Sequence, residues 1–177
     1  MPVFLLKHAV YTLLLLLFYV LQTTPGFLAI HGIMPIWVAP AAIAIAMLEG
    51  EFVGGLYGAV AGLLCDSGAV PRPAGGGSAL FGFHGFFLTL LCVAAGLLVI
   101  YMMRCNLLSC ILFVLVGIAL QNSVEFLFAY GMWGHENVWK LYLYGTLPVV
   151  IYSVAITPLP FWVVRWVHRK FELPLRH

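Results

Sequence analysis

The sequence predicts an all-α integral membrane protein, one domain over residues 1–177 with six transmembrane helices. Three observations carry that expectation. Of the 177 residues, 64% are apolar and the mean hydropathy is +1.09. Charged side chains make up 8%, where a soluble domain carries roughly 25%. The apolar residues come in long runs separated by short polar, proline or glycine stretches, and a bilayer crossing needs about 20 of them, so the length accommodates about six spans with short connections. No room is left for a separate water-soluble domain. A net charge of +2 is too small and too dispersed to follow a nucleic-acid backbone. Four cysteines without a CxxC spacing form neither a zinc framework nor a disulfide scaffold and read as small packing residues.

The first span is expected at 10–22, after Lys7 and His8. It has the basic start and leucine run of a signal peptide, but no A-x-A cleavage site follows in Thr23-Thr24-Pro25-Gly26, so it reads as an uncleaved helix stopped by Pro25 and Gly26. From Ile33 to Cys65 the chain stays largely apolar. As one helix this stretch would measure about 50 Å and overshoot the hydrocarbon core. Two carboxylates flanking a glycine are too costly to leave in lipid, so Glu49, Gly50 and Glu51 are read as a tight turn between spans 33–48 and 52–65. Asp66 to Ser78 is a polar loop with Pro71, Arg72, Pro73 and the triplet Gly75-Gly76-Gly77; outside a GxxxxGK[ST] frame such a triplet is no phosphate cradle. The remaining spans are expected at 79–103, 107–130 and 141–164, the last kinked by Pro148, Pro158 and Pro160.

Charge gives the orientation. With both termini on one side, that side receives Lys7, Arg104, Arg165, Arg169, Lys170 and Arg176, the other only Arg72 and Lys140. The positive-inside rule then places the termini in the cytoplasm. The tail from Arg165 to His177, which follows Trp162 and interleaves Trp166 and Phe171 with basic residues, reads as an anchor to anionic lipid.

The most informative spacing is a ladder of small residues, Ala42, Ala46, Gly50, Gly54, Gly58 and Gly62, each four positions after the last. In lipid, helices associate through close packing, and such a ladder makes a groove where a second backbone can approach. That second backbone is either a neighbouring span of the same chain or a partner's helix. Glu125, beside Gln121 and Asn122 in the fifth span, is either an internal polar clamp or a ligand or partner contact. His31, His84 and His135 with Asp66 and Glu136 have no ordered ligand spacing, so no metal is expected. The serines lack a GxSxG frame and no paired carboxylates face a cleft, so no catalytic activity is expected.

Leu21-Gln22, Gly32-Ile33-Met34-Pro35, the Glu49-Gly50 turn and the run from Gly54 through Gly58 and Gly62 to Asp66 resemble the MreD family of rod-shape-determining bacterial membrane proteins. The core of that resemblance is G-x-x-x-G-x-x-x-G-L-x-x-D. It extends in topology to Pro158, which precedes an apolar stretch and then basic residues. From Ser67 onward the loop departs from the family's pattern. The resemblance implies a non-enzymatic, multi-pass protein of the bacterial plasma membrane that takes no cofactor. It also implies docking of a bitopic MreC-like partner and work beside MreB, RodA and a penicillin-binding transpeptidase in lateral peptidoglycan synthesis. The family's fold is similar to the substrate-binding subunits of energy-coupling-factor vitamin transporters. That gives the alternative function, a vitamin-binding subunit with Glu125, Asn122, His84 and Trp133 around a pocket. A small pore is the weakest reading, because the ring of ionisable residues that gives such pores selectivity is missing.

Overall fold

The computed structural model describes residues 2–24, 26–30, 33–67, 82–102, 104–127, 140 and 142–172. Among them the chain is helical apart from short connections and an isolated bridge between Ile30 and Ile33. The helices are α1 (Pro2–Thr23), α2 (Val38–Glu49), α3 (Glu51–Ser67), α4 (Phe83–Tyr101) and α5 (Leu107–Phe126), then a π-helical turn (Tyr142–Thr146), α6 (Leu147–Ile156) and α7 (Pro158–Glu172). Four segments are long and apolar enough to cross a membrane: Val3–Thr23, Phe83–Tyr101, Leu107–Val124 and Tyr142–Phe171.

At the centre lies α2, which packs on α1, α3, α4, α5 and α7. Every residue from Val38 to Met47 is buried, as a helix apolar all round requires. At 12 residues it measures only about 18 Å. Enclosed by neighbours on all sides, it has no lipid thickness to match. Outward faces carry the large apolar side chains instead: Leu5, Phe52, Phe86, Leu108 and Trp162 are all exposed. Lipid is as apolar as leucine, so what distinguishes the inward faces is close packing of small residues.

Several boundaries differ from expectation. Helix α1 begins at Pro2, not at residue 10; Lys7 can sit within the helix because Glu49 neutralises it. Helix α2 begins at Val38 rather than residue 33, because Pro35 disfavours a helical residue before it. The stretch ahead of α2 is held by side chains: Ser153 Oγ accepts the Ile36 N–H at 2.9 Å, and Gln22 Oε1 accepts those of Trp37 and Val38. The expected sixth span runs on to Glu172, past residue 164, and is divided. Pro148 cannot continue the hydrogen-bond ladder of the preceding turn, and a π turn precedes it. A second break falls at Thr157, before Pro158. Residues 79–81, 103, 128–130 and 141 of the expected spans lie outside the described residues.

Glu49, Gly50 and Glu51 do form a tight turn. Gly50 takes φ +92°, a left-handed conformation that glycine alone adopts without strain. Its N–H closes α2 onto Ala46 O, and its carbonyl accepts the Gly54 N–H that opens α3.

Candidate docking interface and polar clusters

The small-residue ladder is occupied by the chain itself. A Cβ added at Gly54 would fall on Ala46 of α2, one at Gly58 would lie 2.8 Å from Leu88 O and 3.0 Å from the Cβ of Cys92, and one at Gly62 would overlap the backbone of His84 and Gly85. Ala42 and Ala46 are fully buried. Helix α3 therefore lies backbone to backbone on α4, the most extensive helix pair among the described residues. The expectation of a free partner-docking surface at Ala42, Ala46, Gly50, Gly54, Gly58 and Gly62 is corrected accordingly, because the approach that the spacing permits is already made by α2 and α4. Sequence reasoning missed the complementary rungs. Gly85, Cys92 and Gly96 line one face of α4, and Gly96 packs so closely on Gly50 and Glu51 that an added Cβ would meet their backbone. Their spacing of seven and four is the signal that could have found them.

On the outward side of the same helix pair runs an apolar groove of about 380 Å³. Ala59, Gly85 and Thr89 form its floor, and Leu63, Phe86 and Leu90 its walls. Thr89 Oγ1 donates to Gly85 O at 2.6 Å, so the hydroxyl is satisfied within α4 and the groove presents no unpaired donor.

Two polar clusters brace the bundle at opposite ends. At one, Glu49 Oε1 accepts Tyr11 Oη at 2.8 Å and His168 Nδ1 at 2.8 Å and pairs with the ammonium of Lys7. Next to it Tyr57 Oη donates to His8 O at 3.0 Å. One carboxylate thus ties α1, α2 and α7 together, and the first and last described helices meet there. Its side chain is 11% exposed and that of Lys7 13%, so each charge relies on the other for the solvation that burial removes.

At the opposite end, Asp66 at the close of α3 caps α4. Its Oδ2 accepts the Gly85 N–H at 3.0 Å, and Oδ1 accepts the His84 N–H at 3.3 Å and the ring Nδ1 at 2.9 Å. A carboxylate at a helix N-terminus satisfies unpaired donors and faces the positive end of the dipole. Gln22, 5% exposed, does the same for α2 from the end of α1. Replacing Gln22 with leucine leaves two buried N–H groups without an acceptor, and a loss of about 2–6 kcal/mol is expected at about 1–3 kcal/mol for each unmet group. Thermal unfolding in detergent measures it, against Gln22→Glu, which keeps an oxygen able to accept both N–H groups.

The remaining sequence candidates separate. Pro35 is fully buried beside this cap, and Pro158 opens α7, partly buried. Gln121 and Asn122 share a small cavity with Gln22 and His84. The Glu125 side chain lies outside the described residues, as do Trp133, His31, His135 and Glu136. His84 and Asp66 are partners of each other. On α7, Phe161, Val164 and Val167 face inward while Trp162 and Trp166 are exposed, and the Lys170 ammonium sits 4.1 Å from the Trp166 ring centre. Tryptophan beneath a lysine is the arrangement of a membrane–water boundary.

No family model, curated protein or solved structure matches the chain. The functional reading therefore rests on the chain's own residues.

Proposed function

We propose that this protein is a non-enzymatic scaffold of the bacterial plasma membrane, an MreD-like component of the cell-elongation machinery that docks the transmembrane helix of a bitopic MreC-like partner. In this reading the chain crosses the bilayer six times with both termini in the cytoplasm. In support, Lys7 in α1 and His168 near the end of α7 meet on Glu49, and Arg169 and Lys170 follow in the last turn of α7. Short α2 and α3 count as spans because they are packed against longer neighbours. MreB, RodA and a penicillin-binding transpeptidase complete the assembly in which lateral peptidoglycan is made, and lipid covers the remaining outward faces.

The observation that carries the docking role is the outward groove over α3 and α4. Its floor of Ala59, Gly85 and Thr89 lets a foreign backbone approach, and the fixed α3–α4 crossing behind it provides a rigid template. The internal ladder takes a new role in this account: it builds the wall on which the partner lies. Filling the groove with Ala59→Trp is expected to leave insertion and folding intact while at least tenfold less partner copurifies from native membranes. Cells relying on the variant are expected to lose rod shape. Retention of the full complement of partner by the variant would sink the docking role.

The vitamin-binding alternative has Asn122 and His84 in its favour, since both line one cavity. At about 40 Å³ that space is far below the ~300–1,000 Å³ of small-molecule pockets, which favours the scaffold.

A further inference from the structure

The cavity too small for a vitamin has a composition that calls for another ligand. It lies where α1, α2, α3, α4 and α5 converge, with Gln22, Cys65, His84, Leu88, Gln121 and Asn122 around it. Gln121 is 8% exposed and makes no hydrogen bond with any described residue, although its amide offers two donors and two acceptor lone pairs. Burying such a group unmet is costly, because its lost bonds to water are not replaced. Asn122 beside it likewise has no partner among the described residues. Gln22 spends its carbonyl oxygen on Trp37 and Val38, and its Nε2 reaches only Cys65 Sγ at 4.0 Å, a weak acceptor. Two amides with spare capacity and a third that is half used thus face one space.

Size and charge narrow the occupant. The carboxylate of Asp66 is turned onto the N-terminus of α4 and the His84 ring, so the described polar lining is three neutral amides and an imidazole already paired with that carboxylate. Neutral amides cannot offset the desolvation of an ion. About 40 Å³ exceeds the roughly 10–15 Å³ that one water needs, and a buried water takes 2–4 polar partners. A ligand that both donates and accepts suits amides that offer both.

We propose that this cavity is an internal hydration site, holding one or two ordered water molecules that bridge Gln121 and Asn122 of α5 to Gln22 of α1. Helix α5 meets α4 through apolar contacts such as Gly117 on Leu91 and reaches the π turn through Ser123 Oγ and Tyr142 Oη at 2.8 Å, so the water adds a polar link from α5 toward α1. The site depends on neither the scaffold reading nor the partner.

Radiolytic hydroxyl labelling of the full chain in lipid nanodiscs, in ¹⁸O water, tests the proposal. Radicals form from water in place, so aliphatic side chains beside bound water are oxidised even when buried. Leu88 at 2% exposure borders the cavity, whereas Leu15 at 1% lies in the core. The expected result is at least fivefold more oxidation at Leu88 than at Leu15, the added oxygen carrying ¹⁸O from the water. Equal, minimal oxidation of Leu88 and Leu15 would overturn it. In Gln121→Leu, labelling of Leu88 is expected to fall to the Leu15 level; persistence at the original level in the folded variant would overturn the role of Gln121. If that variant does not fold, the comparison within the unaltered chain still decides.

Discussion

Gly62→Ala is expected to destabilise the folded protein by about 3 kcal/mol or more, the upper part of the range for overpacking. At about 2–4 °C per kcal/mol for a chain of this size, the thermal midpoint falls by roughly 6–12 °C. The cause is geometric. An added Cβ would meet the Gly85 Cα and N and the His84 carbonyl oxygen, all closer than 3.0 Å, and backbone cannot rotate away as a side chain can. The only relief is to part α3 from α4, which loosens the Asp66 cap between them. Gly58→Leu is expected to act in the same way: Leu88 O and Cys92 stand in its path, so it unsettles the protein before it touches any partner. Gly145→Ala is the control. Nothing lies within 4 Å of its added Cβ, and a change within about 0.5 kcal/mol is expected. Thermal unfolding of the three variants in one detergent gives the comparison.

Glu49→Ala is the second large effect, with an expected loss of about 3–5 kcal/mol, the cost of removing one partner of a buried ion pair. Lys7 would keep its charge at 13% exposure without a counter-ion, and Tyr11, fully buried, would lose its 2.8 Å bond to the carboxylate. The double substitution Lys7→Met with Glu49→Gln is expected to recover most of the loss, since no uncompensated charge remains. Unfolding midpoints of the single and double variants, together with the rate at which a membrane-permeant amine reagent labels Lys7, check the account. A single variant as stable as the unaltered chain would contradict it.

What the sequence revealed and what it hid follow from the range of each force. Local signals were legible: Gly50 between two carboxylates marks the turn because chain stereochemistry and charge act there without any neighbour. Hydropathy announced the long helices α1, α4 and α5. The limits of α2 were hidden because its start depends on Gln22, distant in sequence, supplying acceptors ahead of Val38. Lys7 reads in sequence as a flanking charge, yet it enters the bundle, since the pairing that permits it joins positions 7, 49 and 168. The ladder itself was visible while its occupant was not. A period of four states that a backbone can come close; which backbone does so is a property of the assembled fold. The matching rungs on α4 were overlooked because Gly85, Cys92 and Gly96 mix two spacings and include a cysteine.

The central claim is that the rungs of α3 are filled by α4 of the same molecule. A disulfide between cysteines at positions 63 and 85 measures this directly. A Cβ at Gly85 would lie 3.7 Å from the Leu63 Cγ, the position a cysteine sulfur would take, and ordinary contact leaves room for the bond. With Cys65, Cys92, Cys105 and Cys110 replaced by alanine, Leu63→Cys with Gly85→Cys, expressed without any partner, is expected to oxidise within one chain in native membranes, as peptide mass mapping reads it. Free thiols at both positions, or bonds from them to a different polypeptide, would contradict the claim.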